Sequence, residues 1–383
     1  MKFDRIVTSV FLACFSSLLM YASVFAQGPK IIAIGDRHLW PERTDSTSGF
    51  DKASRAALLA YTKKLQEQRT AEGKQLSRPS VIKWLDKELF MALANYQAAA
   101  KTCSASGDWT CTGNAADPAD LASRASKTAV PSNLLSWKTD IEAFASDYIS
   151  EQVRLASLFP RTTSEIELFD SNEFNGDRAV DRKFYLSFDD GPSPANSTTD
   201  AVLQMLAANK KTAVFFLLGE SLKTRLRETD ALKLALAYQG QCIASHGWQH
   251  VSHASSAPWR AGRSWRLSVT DTRSLLDSTF ANGPQVMPLF RPPYGQRRPD
   301  SNDFFREQGL HVALWGLDSQ DWNPKVTAED VTNRIETLML IKRHGLLLFH
   351  DIFPKARIAV PTIIQDLGGA VQWGNCSQIS EIF

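Results

Sequence analysis

The sequence predicts an α/β protein, in which a parallel sheet carries helices on its outside and a mainly helical region comes first. From about Asp51 to Phe159, apolar residues recur at three- and four-residue steps, which is the helical period. From about Lys183 onward, short apolar runs alternate with helical patterns. Such alternation is typical of a parallel sheet with outer helices, either open or closed into a barrel.

Length and composition agree with a globular chain. The 383 residues are 43% hydrophobic and 22% charged, which suits one large domain or two unequal ones. The 43 basic and 41 acidic side chains leave a formal net charge of +2. A balance this close indicates no basic stripe, so we expect no nucleic-acid partner.

Residues 1–26 have the pattern of an export signal. Lys2 and Arg5 precede an apolar stretch from Ile6 to Phe25, and small side chains at Val24 and Ala26 suit a signal peptidase. We therefore expect cleavage after residue 26 and a periplasmic or secreted protein. The alternative is an uncleaved membrane anchor, since the stretch is nearly long enough to span a bilayer. Contact with a membrane is expected only in that case.

The cysteine count favours disulfides. Cys14 would leave with the signal, and the remaining even number in an exported protein favours two bonds. Cys103 and Cys111 bracket a short polar loop and are the natural local pair, which leaves Cys242 with Cys376 by elimination. Free buried thiols are the alternative, and none of the four has zinc-finger spacing.

The helical pattern defines a predicted accessory domain over residues 27–165. It contains three apolar helical stretches, and a polar segment between Cys103 and Ser132 separates the second from the third. No cluster of candidate ligands occurs in this region. We expect it to serve packing or interaction, with no chemistry of its own.

The second half, residues 166–383, is the predicted catalytic domain. Strands are predicted at 184–188, 212–217, 242–244, 312–315 and 345–349, with helices at 197–209 and 222–238 among them. Catalytic side chains of parallel α/β folds lie at the carboxyl ends of the strands. Polar residues follow the predicted strands at that position.

Two motifs suggest a metal site. Asp189 and Asp190 directly follow the first strand, and one carboxylate could bind a cation while the other acts as a base. His246 and His250 stand four residues apart and can converge on one metal ion. Taken separately, a solvated acidic turn and a chance histidine pair explain them equally well. His253 is expected at the surface or behind the ligands.

Three further motifs place polar groups after apolar strands. Arg291 and Tyr294 flank two prolines, which fix the backbone directions of the loop. Asp318 and Asp321 lie one short turn apart beside an aromatic residue, and His350 ends a very apolar strand. Each motif alone could be structural.

Together, the five motifs resemble the NodB-type polysaccharide deacetylases of carbohydrate esterase family 4, in their order and comparable spacing. The resemblance runs from about Phe184 to the C-terminus, half of the chain, and does not cover residues 27–159. It implies a distorted (β/α) barrel with fewer than eight strands. This barrel would follow the mainly helical accessory region.

The resemblance also implies a role for each motif residue. The metal ligands would be Asp190, His246 and His250, and Zn²⁺ is the expected cation for this ligand set. Asp189 would be the general base and His350 the general acid. Arg291 would orient Asp189, and Asp321 would tune the pKa of His350. The Tyr294 N–H would donate to the oxyanion of the reaction. Trp322 and Leu348 would shape the pocket for the acetyl group.

Two positions depart from the family pattern. Gly247 stands where the family usually has Ser or Thr, a residue that helps to brace the histidine loop. Support for the ligands would then be weaker or come from elsewhere. Ser187 replaces the commoner Thr before the two aspartates, which is a mild change.

The implied activity is metal-dependent removal of N-acetyl groups from a polysaccharide. N-acetylglucosamine units of peptidoglycan are the first expected substrate. Chitin, chitooligosaccharides or an exopolysaccharide come next, and acetyl ester cleavage on xylan third. A catalytically silent glycan-binding protein is the alternative from a different class. An acetylated glycan polymer is the expected partner in each case.

Overall fold

The structure is a computed structural model that describes residues 40–73, 78–104, 107–254 and 264–383. The expected signal peptide and residues 27–39 of the predicted helical domain lie outside these ranges. Export and the alternative of a membrane anchor therefore stay predictions. Within the described ranges, no helix has the length and apolar character that crossing a bilayer requires.

Four α-helices form the described N-terminal region, and the apolar periodicity predicted three of them. They are α1 (Thr47–Glu72), α2 (Pro79–Ala99), α3 (Pro118–Lys127) and α4 (Leu135–Leu158). The sequence analysis missed α3, which lies inside the polar segment predicted to separate two helices. The Asp117 side chain accepts a hydrogen bond from the Asp120 N–H, and Pro118 occupies the first turn, where proline suits a helix.

The C-terminal region is a sheet in which every strand pair is parallel. The strand order is β1-β6-β5-β4-β3-β2-β8-β7, with β9 pairing β2. The described sheet has nine strands, more than the expected number below eight, because three two-residue strands add to six longer ones: β2 (Lys183–Asp189), β3 (Ala213–Leu217), β4 (Cys242–Ser245), β5 (Gln285–Phe290), β6 (His311–Ala313) and β8 (Gly345–His350). The two-residue strands are β1 (Glu173–Phe174), β7 (Leu317–Asp318) and β9 (Gln372–Trp373).

Helices connect the strands on the outside of the sheet. They are α5 (Thr198–Ala208), α6 (Gly219–Arg225), α7 (Ala231–Ala237), α8 (Trp265–Thr279), α9 (Asn302–Glu307), α10 (Ala328–Lys342) and α11 (Ala356–Leu367). The continuous helix predicted over 222–238 is wrong, since α6 and α7 divide it. Asp230 begins α7 as an N-cap, accepting a hydrogen bond from the Lys233 N–H, and so starts a new helix there.

The sheet curls toward a closed barrel. Its edge strands are β1 and β7, and the chain that follows β1 lies against β8. Gly176 has φ +98°, and a Cβ there would lie 2.4 Å from the Leu346 nitrogen. Only glycine allows this approach. The predicted distorted barrel is confirmed.

The helical region packs on the barrel through α1, α2 and α10, and one apolar core runs through both. The Ser54 hydroxyl donates to the Leu340 carbonyl oxygen (2.6 Å), and the Asn95 amide donates to the Ile341 carbonyl oxygen (2.9 Å). Buried Arg343, at the end of α10, donates to Asp51 on α1 (2.8 Å). These contacts fix the helical region against the barrel, while the domain boundary at residue 165 stays a prediction.

Both expected disulfides are present. One joins Cys103 to Cys111, and the other joins Cys242 to Cys376. The second connects β4 with the C-terminal 3₁₀ helix (Cys376–Ile382). Residue Cys14 lies outside the described ranges.

Candidate active site

The five predicted motifs meet at one edge of the sheet. Their side chains follow or end β2, β4, β5, β8 and the short β7, and the carboxyl ends of these parallel strands point the same way. A cavity of about 350 Å³ lies at this edge. Of the residues predicted for the site, it is lined by Asp189, Asp190, His246, His250, Tyr294, Trp322, Leu348 and His350. Arg291 and Asp321 stand behind this lining and contact it through hydrogen bonds.

Asp190, His246 and His250 form a candidate metal centre. The Asp190 Oδ1 atom lies 3.3 Å from His246 Nε2 and 3.5 Å from His250 Nε2. Tetrahedral Zn²⁺ with ligand bonds of about 2.0–2.1 Å needs donor atoms roughly 3.3 Å apart. Asp190 Oδ1 is also buried without a hydrogen-bond partner among the described residues. The three residues therefore fit a divalent cation.

The two histidines present unprotonated nitrogens to this centre. His246 Nδ1 lies 2.8 Å from the Arg291 carbonyl oxygen, which can only accept, so this nitrogen carries the proton. Its Nε2 is left as a lone-pair donor toward Asp190. Burial lowers the pKa of His250 to about 4, so its ring is neutral at pH 7. Neutral imidazole is the form that binds metals.

Asp190 is ionised at this site. Burial alone would raise its pKa, but the neighbouring His250 and His246 outweigh burial and hold the pKa well below the usual range. Its backbone φ is 78°, a left-handed conformation that aspartate tolerates better than most residues. A strained ligand that carries full charge suits cation binding.

The loop between the two histidines is braced from α8. Gly247 has φ +82°, and a Cβ there would lie 2.9 Å from both His253 Cε1 and Ser268 Oγ. The Ser268 hydroxyl accepts from the Trp248 N–H (2.8 Å) and lies 3.2 Å from His253 Nε2. The Val251 carbonyl oxygen lies 3.0 Å from His253 Nδ1 and accepts its proton.

These contacts explain the departure at position 247. The bracing hydroxyl comes from Ser268 on α8, and the space that a side chain would need is filled by His253 and Ser268. His253 is 1% exposed, so it lies behind the ligand loop and not at the surface. Burial lowers its pKa to about 3, which keeps the ring neutral and able to accept the Ser268 proton.

Arg291 holds Asp189 in a buried ion pair. Both side chains are almost fully buried, and Arg291 Nη1 donates to Asp189 Oδ1 at 2.7 Å. The same guanidinium donates to the carbonyl oxygens of Ala313 (3.1 Å) and Leu314 (3.0 Å). Because all three of its nitrogens donate hydrogen bonds to buried acceptors, the guanidinium is held in one position. Asp189 Oδ2 is left 3.8 Å from His246 Nε2, on the metal side.

Ser187 supports this pair in the place of the commoner Thr. Its hydroxyl accepts from Arg291 Nη1 (2.9 Å) and donates to the Leu347 carbonyl oxygen (2.6 Å). The hydroxyl is the part that threonine and serine share. The substitution is therefore mild, as expected.

His350 and Asp321 form a second charged pair. Asp321 accepts from His350 Nδ1 at 2.7 Å and from its backbone N–H at 2.9 Å. Burial alone would lower the histidine pKa, but Asp321 outweighs burial and raises the pKa to about 10. His350 is therefore protonated at pH 7, and its Nε2–H remains for another partner.

Tyr294, Trp322 and Leu348 border the cavity as predicted. Tyr294 has φ 60° in the loop after Arg291, and its ring contacts His250 edge-on with centroids 4.3 Å apart. Leu348 is 3% exposed and lies on β8. The structure places all three at the cavity, while their roles in the reaction stay predictions.

One wall of the cavity was not predicted from the sequence. Glu151, Gln152 and Leu155 of α4 line it, together with Glu165 and Arg334. The helical region was expected to carry no chemistry, and no motif sets these residues apart from an ordinary helix surface. Burial, followed by the negative charge of Asp318, raises the pKa of Glu165 to about 7.

The fold and the site define a parallel α/β barrel with an Asp-His-His candidate metal centre, flanked by a carboxylate and a protonated histidine. The sequence profile of the polysaccharide deacetylase family matches residues 176–313. A peptidoglycan-N-acetylglucosamine deacetylase of Bacillus cereus is 30% identical over 224 residues, which cover 56% of this chain and 75% of that protein. The chain belongs to this family, the NodB-type polysaccharide deacetylases of carbohydrate esterase family 4.

Two other similarities cover the same half of the chain. A peptidoglycan-N-acetylmuramic acid deacetylase of Bacillus subtilis is 30% identical over 202 residues, 51% of this chain and only 38% of that protein. A crystal structure of a peptidoglycan N-acetylglucosamine deacetylase is 22% identical, with a TM-score of 0.44, and the match covers 53% of this chain and 90% of that one. The helical region before residue 176 lies outside the family match.

Proposed function

We propose that this protein removes N-acetyl groups from N-acetylglucosamine units of peptidoglycan by metal-dependent hydrolysis. One observation carries the proposal: the Asp-His-His centre, the carboxylate of Asp189 and the protonated His350 border a single cavity. Amide hydrolysis needs these three elements, an electrophilic centre, a base and an acid, within reach of one carbonyl group.

The cation, for which we propose Zn²⁺, would polarise the acetyl carbonyl and lower the pKa of water toward about 7. Asp189 Oδ2 then takes the proton of the attacking water, while Arg291 holds Oδ1 and so directs the other oxygen to the reactant. The Tyr294 N–H donates to the oxyanion that develops on the acetyl group.

His350 completes the reaction as the acid. An amide nitrogen leaves readily only after it gains a proton, and His350 Nε2–H supplies one as the carbon–nitrogen bond breaks. Asp321 holds the ring through Nδ1 and keeps it protonated at neutral pH. The products are acetate and a free amine on the sugar. Trp322 and Leu348 would enclose the acetyl methyl group.

Peptidoglycan is proposed because two similar proteins from Bacillus species carry that substrate in their names. The signal-like segment at residues 1–26 supports an exported enzyme, which would meet such a polymer outside the cytoplasm. The metal identity, the substrate and the location are thus three parts of one proposal.

The test is acetate release from peptidoglycan, chitin pentamer and acetylxylan, measured after chelation and again after Zn²⁺ is restored. We expect release only with metal, and most from peptidoglycan. Asp189→Asn and His350→Ala should each lose most turnover and still bind Zn²⁺. Glycan binding without acetate release from any substrate would contradict the proposal and favour a silent glycan-binding protein.

A further inference from the structure

The helical region contributes a wall to the catalytic cavity. Gln152 and Leu155 of α4 line the same space as Asp189 and His350, and Glu165 follows in the segment after α4. None of these wall residues lies within residues 176–313, the part that matches the family. The barrel alone therefore does not determine what fits beside the reacting group.

Two polar side chains of this wall, Gln152 and Glu165, make no hydrogen bond or ion pair with another side chain among the described residues. Gln152 is 8% exposed, and its amide makes no side-chain hydrogen bond among the described residues. The half-buried Glu165 carboxyl group accepts a hydrogen bond from its own backbone N–H, and no other side chain of the described residues donates to it or forms an ion pair with it. Both side chains border the cavity, so their polar atoms can form hydrogen bonds with a molecule bound there.

Arg334 on α10 adds donors to the same wall. Its Nε donates to the Asp318 carbonyl oxygen (2.7 Å), which fixes the guanidinium at the cavity. Negative charge from Asp318 and Glu165 surrounds it. The wall is consequently no concentrated anion site. The Glu165 carboxyl group can accept hydrogen bonds, the Gln152 amide can both donate and accept them, and the Arg334 guanidinium can donate them. Sugar hydroxyl groups, which donate and accept, match this combination.

We propose that Gln152, Glu165 and Arg334 form a subsite for the sugar next to the one that loses its acetyl group. This inference rests on the proposed deacetylase function. The helical region then contributes to substrate selection, because an oligosaccharide that occupies the subsite binds more tightly than a single sugar. Glu151 stands apart from the set, since it is paired with Arg154 (2.7 Å).

The experiment compares N-acetylglucosamine with its pentamer in Zn²⁺-loaded full-length protein. Gln152→Ala and Glu165→Gln should each raise KM for the pentamer roughly two- to tenfold, the effect of one lost neutral hydrogen bond. Neither should change kcat, nor the rate with the single sugar. Glu167→Gln is the control, because Glu167 pairs with Lys83 (3.0 Å) and does not line the cavity.

The possible outcomes distinguish a failure of the deacetylase function from a failure of the subsite alone. If the wild-type protein releases no acetate from any substrate, the deacetylase function fails, and the subsite with it. If the wild type is active and both variants keep its pentamer KM, only the subsite is refuted. An equal rise in KM for single sugar and pentamer would also refute it, because the wall would then contact the reacting sugar. Glu165→Gln preserves shape, so it decides the matter if Gln152→Ala unfolds.

Discussion

Removal of the Ser268 hydroxyl should weaken metal binding while the fold persists. Ser268 is fully buried on α8 and is not one of the candidate ligands, yet its Oγ hydrogen-bonds to Trp248, between the two histidine ligands, and to His253, just beyond them. In Ser268→Ala, the Trp248 N–H loses this acceptor and His253 Nε2 loses this donor. The ligand loop would then have more conformations available before the cation binds.

The magnitude follows from those two hydrogen bonds. Each neutral bond contributes about 0.5–1.5 kcal/mol, so the variant loses on the order of 1–3 kcal/mol of loop organisation. A difference of about 1.4 kcal/mol changes an equilibrium constant tenfold. We therefore expect the Zn²⁺ dissociation constant to rise roughly 10- to 100-fold, the range typical of groups that orient metal ligands.

Competition with a fluorescent chelator would measure the dissociation constant, and thermal unfolding of the metal-free protein would monitor the fold. Ser278→Ala is the matched control, because Ser278 lies on the same helix, is exposed, and donates only to the Leu275 carbonyl oxygen (3.0 Å). If Ser268→Ala bound Zn²⁺ as tightly as this control, the bracing role would be refuted.

Three further substitutions test the site. Gly247→Ser should destabilise the metal-free protein by about 1–3 kcal/mol, because the left-handed backbone is strained with a Cβ and the space is filled; an unchanged melting temperature would contradict this. Arg291→Met should lower the free energy of unfolding, measured with urea, by about 3–5 kcal/mol, since Asp189 becomes a buried charge without its partner. A decrease as small as that of a typical surface substitution would contradict this. Asp321→Asn should move the alkaline limb of kcat/KM about 1–3 pH units lower, because His350 donates only while protonated and its pKa of about 10 depends on Asp321. An alkaline limb of kcat/KM that stays in place in Asp321→Asn would refute the assignment of His350 as the acid. The raised pKa of His350 also stabilises the fold: this contribution is fully present below about pH 6.5 and is lost as pH rises through about 10.

The grouping of the candidate metal ligands could be predicted from sequence because each residue has a local signature. Asp190 follows a buried strand directly, and His246 and His250 share one turn after another such strand. Parallel pairing then brings the ends of β2 and β4 together through β3, without further information from the chain. The charged pairs of Arg291 and His350 arise by the same rule.

The support of the centre could not be predicted in this way. Ser268 lies some twenty residues beyond the ligand loop in an ordinary helical pattern, and only the packing of α8 brings its hydroxyl to Trp248. Gln152 and Glu165 are similar cases, since a polar residue on a helix or in a loop normally faces solvent. Their place at the cavity depends on how α4 packs against the barrel, which has no signature in local sequence.

That packing connects the helical region to the acid as well as to the wall. On α10, Arg334 lies with its guanidinium 5.7 Å from the Tyr148 ring of α4 and donates to the Asp318 carbonyl oxygen. The Asp318 side chain in turn accepts a hydrogen bond from the backbone N–H of Gln320 (2.8 Å), the residue that precedes Asp321. The chain that holds the His350 partner is therefore fixed through α10, whose other face is buried by α1. A helical region that only tethered the enzyme would need none of these contacts. These contacts connect the helical region with the segment of Asp321, on which the proposed role of His350 as the acid depends.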